Sequence, residues 1–365
     1  MPSAKMLQII KKANKEFSRS HTDIAEKGMR HTVHYSTGSK MIDLAVSSNN
    51  GGIPEGKIIE IYGPESAGKS TFSIIAIATR QRIERERAEH EEGYEPKSCI
   101  FVDAEGGFDK ELAAQYGVDL TELVYIDPDT AEHAIDILDG LIRTGDVALA
   151  VVDSVPALTP SKVEESSMSQ QTMGLVARLM SQACTKLNGS IRQYGTSIIF
   201  INQIREKVGV MYGNPETTPG GRALKFYSWL RIKITRGEDI KNGDEVIGHQ
   251  MKVQMVKNKS DAPKKVATTD LYYTVGYSVE KEIIDLCKLA GIIQGTSWLS
   301  VIDPETGEVF NVNGIDLKFN GKAKMIAALQ ENPDIFNFLQ NLLDNFTIEA
   351  EEEEISPDDD YAREE

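Results

Sequence analysis

The sequence predicts an α/β fold: a mostly parallel, twisted sheet flanked by helices, preceded by a helical arm and followed by a small α+β domain. Three observations carry this expectation. Apolar, β-branched runs bounded by turn residues alternate with helical patterns, as in sheets covered on both faces. A glycine-rich loop joins the first of these runs to the first long helical pattern. Two further runs of alternating character follow the last of them and suit an antiparallel hairpin added to the sheet.

The buried-strand runs are KIIEIY (57–62), SCIFVD (98–103), LVYID (123–127), VALAVVD (147–153) and TSIIFI (196–201), separated by helical patterns such as 70–92 and 174–194. The hairpin pairs WLRIKITR (229–236) with GHQMKVQMVKNK (248–259), leaving GEDIKNGDE as its turn region. The chain then divides into an arm at 1–35, a core at 36–270, a small domain at 271–345 with helical patterns at 280–290 and 322–330, and a tail at 346–365. Closely spaced opposite charges in ATRQRIERERAEHEEGYEPK (78–97) predict a solvated extension of the first core helix.

At 365 residues the chain holds one large domain and a small one. No apolar run approaches the ~20 residues needed to cross a bilayer. The start, MPSAKMLQIIKKANKEF, is too polar for a signal-peptide core, so a cytoplasmic protein without membrane partners is expected. Cys99, Cys184 and Cys287 are far apart and lack metal-ligand spacing, which argues against a disulfide framework and a structural zinc. The net charge of −16 is partly local: 349–365 carries ten acids and one arginine, and subtracting its −9 leaves −7. Such a tail is expected to be disordered, and whole-chain charge says little about a local nucleic-acid groove.

The strongest chemical signal is GPESAGKS, comprising Gly63, Pro64, Glu65, Ser66, Ala67, Gly68, Lys69 and Ser70, between a strand and a helix. Backbone N–H groups of such a loop wrap phosphates, Lys69 brings positive charge to the β- and γ-phosphates, and the Ser70 hydroxyl suits Mg2+. In LAVVDS, Asp153 closes a predicted strand where it could hold magnesium through water. In FVDAEGGFD, Glu105 lies just past another strand and suits the orientation of an attacking water. Gln203 ends the strand of IFINQIR, where an amide can contact a γ-phosphate and transmit its presence into a long loop. Arg205, Lys207, Arg222 and Lys225 supply that loop with charge suited to a nucleic-acid backbone.

EIYGPESAGKS, VVDSVPALTP, MGLVARLMSQA, IFINQIR, GNPETTPGGRALKFY and VKNK stand in the order found in bacterial RecA-type recombinases, and the resemblance covers roughly residues 36–270. It implies a RecA-type ATPase core using ATP and Mg2+, with Lys69, Ser70, Thr71, Asp109 and Asp153 around the nucleotide and Ser70 and Asp153 as the metal positions. Glu105 is then the catalytic carboxylate, assisted by Lys69, and Gln203 the γ-phosphate sensor. Lys257 and Lys259 resemble lysines that reach the ATP of a neighbouring subunit, and Phe226 the aromatic residue that couples subunits. By the same likeness the DNA loops run from 164 to 173 and from 203 to 219. Met173, Gly174, Arg178, Ser181, Arg205, Lys207, Gly220, Gly221 and Arg222 match DNA-contacting positions, Val208 a wedge between bases, and Arg236 with Lys252 a weaker duplex site.

Departures from the family pattern are Leu112 where a tyrosine is usual, Glu206, Thr185 and Thr235 at positions that are nonacidic or basic in better-known relatives, and Gly106–Gly107 after the catalytic glutamate. With the charged segment at 78–97 they suit a divergent member, including one borne by a phage or mobile element. The resemblance implies a homo-oligomeric helical filament on single-stranded DNA, double-stranded DNA as exchange substrate, and the 1–35 helix as an oligomerisation arm. A LexA-like repressor and single-strand-binding or loading proteins are candidate partners. The acidic tail either competes with DNA phosphates or serves solubility. A hexameric helicase and a nucleotide-gated DNA scaffold are the rival readings; GNPETTPGGRALKFY weighs against the first, and Lys69, Glu105 and Asp153 against the second.

Overall fold

The computed structural model describes Met6 and residues 32–49, 51–161, 173–206, 216–303 and 306–345. Most of the expected arm, the expected 164–173 loop before Met173, residues 207–215 and the acidic tail lie outside the described residues.

Nine strands build the main sheet: β1 (Ile58–Gly63), β2 (Ser98–Asp103), β3 (Leu123–Ile126), β4 (Val147–Asp153), β5 (Ser197–Gln203), β6 (Leu230–Asn242), β7 (Glu245–Asn258), β8 (Val266–Tyr272) and β9 (Gly276–Tyr277). Their order is β9-β8-β7-β6-β1-β5-β4-β2-β3. From β6 to β3 every neighbouring pair is parallel, whereas β6 to β9 form an antiparallel meander. This is the mixed, mostly parallel sheet that the runs predict.

Strands β1, β2, β4 and β5 are buried almost throughout because helices cover both faces, whereas the edge strand β3, expected as a buried run, leaves Val124 and Tyr125 exposed. In β2, Cys99 and Phe101 enter one core, with Phe72 and Ile77 of α2 (Lys69–His90) and with α1 (Lys40–Val46). Ile100 and Val102 enter the other, against Leu138 of α4 (Ala131–Ile142) and Leu187 of α5 (Met173–Tyr194). Between these, the short α3 (Lys110–Gln115) follows β2, and α6 (Ala223–Tyr227) precedes β6. A third core joins α7 (Val279–Leu289), α8 (Lys322–Glu331) and α9 (Pro333–Asp344) to a three-stranded sheet of Ile293–Gln294, Trp298–Val301 and Lys318–Asn320. Among the described residues, no helix is long and apolar enough to cross a membrane.

Three features differ from the sequence expectation. The hairpin strands run through most of GEDIKNGDE, because Asn242 pairs with Glu245 and leaves only Gly243 and Asp244 to turn the chain. Three register irregularities along that ladder blur the alternation by which its ends would have been read. The sheet also continues past residue 270, through Tyr277. Finally, the 78–97 extension is solvated on only one side. Arg82–Glu86 and Arg87–Glu91 are surface pairs at 2.6 and 3.0 Å, but Arg80 and Glu84 are 2% and 1% exposed and paired at 2.6 Å. Arg80 also pairs with Glu55 at 2.7 Å, and Glu84 accepts from the Tyr94 hydroxyl and from the Lys97 N–H.

Removing one partner of a buried ion pair leaves an uncompensated charge. Glu84→Ala should therefore destabilise the core by roughly 3 kcal/mol in urea unfolding, whereas Glu86→Ala, on the exposed side, should change stability by less than about 0.5 kcal/mol. A second expectation concerns Glu282 of α7, which accepts from the Ser39 hydroxyl that caps α1 (2.7 Å) and from the Thr269 hydroxyl of β8. Burial pushes its carboxyl from 4.5 up to about 7. The folded protein then keeps a proton that the unfolded chain releases, so stability should fall as pH rises from about 4.5 through about 7, by up to ~3 kcal/mol. Glu282→Gln should flatten that decline in pH-dependent denaturation.

Candidate nucleotide and DNA site

The parallel order sets the carboxyl ends of β1, β5, β4 and β2 side by side, and the loops leaving those ends carry the chemistry. Gly63 ends β1 opposite Gln203 of β5, and Asp153 ends β4 opposite Asp103 of β2. From β1 the chain wraps through Pro64, Glu65, Ser66 and Ala67 into α2, whose N-cap is Gly68. Gly68 has φ +97°, and a Cβ there would meet Leu271 Cδ2 at 2.9 Å and Met251 Sδ at 3.1 Å, so glycine is required. Helix α2 thus starts with its free N–H groups directed into the loop, the arrangement that binds phosphate.

Lys69 is buried and donates to the Pro64 carbonyl across the loop (2.6 Å). Burial lowers its pKa, against the pull of Asp153, Glu105 and Glu65. Ser70 donates to Asp153 Oδ2 at 2.7 Å, joining the start of α2 to the end of β4. The Asp153 carboxyl is pushed up to about 6, first by burial and then by the nearby Glu105 and Asp103 carboxylates. A hydroxyl and a carboxylate brought together in this way are hard oxygen donors of the type that magnesium prefers. Thr71 lies half-buried in the first turn of α2.

Glu105 stands in the loop after β2, its backbone N–H bonded to the Asp153 carbonyl at 3.2 Å. Its carboxylate accepts from the Ser154 hydroxyl and from Gln203 Nε2 at 3.3 Å. Gln203 Oε1 in turn accepts from Arg205 at 3.2 Å, so the loop after β5 connects directly to the acidic centre. Ser154 is a residue that sequence reasoning missed: it stands in LAVVDS, but its contact depends on β2 and β4 being neighbours. Asp109 caps α3, its Oδ1 accepting from the N–H groups of Glu111 and Leu112 at 3.0 Å.

Asn202, also missed, fixes the far end of the loop that follows β5. Its amide donates to the buried Glu60 at 2.9 Å and to the Pro219 carbonyl at 3.0 Å, while Glu60 holds Arg231 at 2.6 Å. Gly220 and Gly221 follow, close against Met180 and Ala177 of α5. On α5, Gly174, Arg178 and Ser181 are exposed at i, i+4 and i+7 spacing and so share one helix face. Arg222 is exposed beside them, at the N-cap of α6. The backbone of Met173 begins α5; the expected positions Lys207 and Val208 lie outside the described residues.

Arg236 and Lys252 are not brought together. Arg236 pairs with Met251, which faces the core, and Lys252 with Thr235, so the two side chains leave opposite faces of the hairpin. Arg236 is bound to Asp239 at 2.7 Å and to the Tyr273 hydroxyl at 2.9 Å. Lys257 donates to the carbonyls of Lys225 (2.7 Å) and Phe226 (3.1 Å), in the last turn of α6. Its pKa is lowered to about 8 by burial and by Lys259 and Arg231. Phe226 is 69% exposed despite being aromatic. Lys259 lies 5.6 Å and Lys57 4.0 Å from the Trp229 ring centroid.

A nine-stranded, mostly parallel sheet with a phosphate loop, a strand-end aspartate, a loop glutamate and a strand-end glutamine on neighbouring strands defines a phosphate-loop nucleotide hydrolase. Residues 4–278 match the family described as the RecA N-terminal domain. The chain is 44% identical over 301 residues to Protein RecA of Bacillus cereus (strain B4264), covering 82% of this chain and 84% of that protein. A similar likeness holds to Protein RecA of Bordetella petrii, 44% over 307 residues, covering 84% and 79%. The chain belongs to the RecA family, and it is an ATP-dependent recombinase acting in DNA recombination and repair.

Charged hydrogen bonds are worth about 1.5–3 kcal/mol each. Replacing Lys69 with Ala should therefore lower ATP affinity roughly 10- to 100-fold in equilibrium binding, with the circular-dichroism spectrum unchanged.

Proposed function

We propose that the cluster of Lys69, Ser70, Asp153, Glu105 and Gln203 hydrolyses ATP between protomers of a filament on single-stranded DNA, and that its nucleotide state governs pairing with double-stranded DNA. The observation that carries this is the convergence of the five residues on four adjacent strand ends, with Glu105 and Gln203 in direct contact. Backbone N–H groups from Gly63 to Ser70, with the Lys69 ammonium, bind and orient the phosphates. Ser70 and Asp153 would hold Mg2+, which supplies charge neutralisation on the phosphate oxygens. Glu105 orients a water toward the γ-phosphate. Gln203, exchanging its contact with Glu105 for one with that phosphate, alters the loop that begins at Arg205.

Lys257, Lys259 and Phe226 act on a neighbour. Arg231 pairs with both Glu60 and Lys257, which puts Lys257 level with the middle of β1, three residues and roughly 10 Å before Gly63 and the phosphate loop. That separation supports a role toward the next protomer's nucleotide. Single-stranded DNA runs along the Gly174–Arg178–Ser181 face with Arg205 and Arg222 beside it, and Lys207 and Val208, outside the described residues, are proposed as further DNA contacts. Lys252 contacts duplex from the opposite hairpin face to Arg236. In this reading 1–35 is the oligomerisation arm, the catalytic core runs from 36 to the end of the sheet at Tyr277, the residues from Val279 to 345 form a small domain, and the 346–365 tail either competes with DNA phosphates or serves solubility. The filament works in the cytoplasm, where a LexA-like repressor and single-strand-binding or loading proteins are its further partners.

ATP turnover measured with and without single-stranded DNA, beside a fluorescent strand-exchange assay, tests the reading. Glu105→Gln should bind ATP normally and lose roughly 100-fold or more in turnover, while the unaltered protein exchanges only matched strands. Normal turnover in Glu105→Gln, or hydrolysis without exchange, would overturn it.

A further inference from the structure

The loop that carries Glu105 has little of its own to hold it. Gly106 and Gly107 follow the glutamate, Gly106 has φ +68°, and a Cβ built on either would meet nothing within 4 Å. Two successive glycines in open space leave the backbone many conformations to lose. Orienting a water, by contrast, demands a carboxylate fixed to within a fraction of an ångström.

The restraint comes from outside the loop. On its near side, the N–H groups of Ala104 and Glu105 both bond to the Asp153 carbonyl, at 2.8 and 3.2 Å. On its far side, the Asp103 carboxylate receives the Gly107 N–H on Oδ1 (3.1 Å) and the Phe108 N–H on Oδ2 (2.9 Å). Asp103 is 3% exposed, so these bonds form away from competing water. Its Oδ2 also receives the hydroxyl of Tyr125 at 3.0 Å. Tyr125 sits on β3, the edge strand, in register with Phe101. The Phe108 ring packs against both, its centroid 4.6 Å from that of Phe101 and 5.6 Å from that of Tyr125.

We infer that Asp103, Tyr125 and Phe108 form a clamp that positions Glu105 for hydrolysis, with Tyr125 as the part reached from the sheet edge. The inference rests on the reading of Glu105 as the water-orienting group. Tyr125 is 47% exposed, which its burial alone does not account for: an aromatic residue on an open edge contributes little to the core, but its hydroxyl fixes the orientation of the carboxylate that holds two loop N–H groups. Asp103 acts through the loop N–H groups that it holds, and Tyr125 through Asp103. Both are positioning residues.

Tyr125→Phe keeps the ring against Phe108 and removes only the hydroxyl. In single-turnover ATP hydrolysis by the full chain on oligothymidylate, it should slow the chemical step about tenfold and leave ATP affinity and the thermal midpoint unchanged. Placed on Glu105→Gln, the same change should cost nothing further, since the group it positions is gone. A wild-type rate in Tyr125→Phe, a parallel loss of ATP affinity, or an undiminished loss in the double variant would each overturn the clamp. Rapid hydrolysis by Glu105→Gln alone would instead remove the assignment of Glu105, a separate failure read from a separate variant.

Discussion

Parallel pairing of β1 between β5 and β6 is the constraint on which the rest of this molecule depends. It aligns Gly63 with Gln203 at the carboxyl end of β1 and Arg231 with Glu60 three residues further back, so that the phosphate loop and Lys257 are held apart along the sheet. Burial of these strands on both faces excludes slippage, because a shift of one residue would exchange the residues entering the two cores. A register that rigid is what allows groups on separate loops to meet within hydrogen-bond distance.

Buried polar groups secure the loops that the register brings together. Glu60, wholly buried, is acceptable there because Arg231 and Asn202 both donate to it, and Asn202 then has a second N–H for Pro219. Both ends of the loop that follows β5 are thus fastened to one strand end. A short path of contacts continues from Pro219 through Gly220 and Gly221 on α5 to α6, whose last carbonyls accept from Lys257. Site, loop and Lys257 are therefore contiguous through packed atoms. The charged extension of α2 obeys the same rule, its Arg80 and Glu84 buried only because each finds its charge partners.

Electrostatics at the strand ends are finely opposed. Asp153, Glu105 and Glu65 set negative charge around the buried Lys69 ammonium, and the Asp153 pKa is raised, first by burial and then by Glu105 and Asp103. Carboxylates gathered in this way favour a cation, which is what the metal accompanying a bound polyphosphate brings. The clamp at Asp103 uses one of these carboxylates for backbone N–H groups rather than for the nucleotide.

What the sequence determined by itself was whatever depends on local order. GPESAGKS carries its own turn and helix start, the central strands announce their burial by mostly apolar runs, and Asp153, Glu105 and Gln203 could be placed at strand ends because those runs stop there. The tertiary structure alone decided which strand ends are neighbours and which faces are shared. Ser154 meets Glu105, and Asn202 meets Pro219, only because of strand order and loop return. Arg236 and Lys252 look close in sequence pattern yet leave opposite faces, since a β-strand's side chains alternate and the cross-strand partner fixes the parity. Likewise, Arg80 and Glu84 read as surface charge in a run of alternating signs, and their burial followed from the packing of Glu55, Tyr35 and Tyr94 around them. Pairing across the sheet is a long-range property, and no window of local sequence contains it.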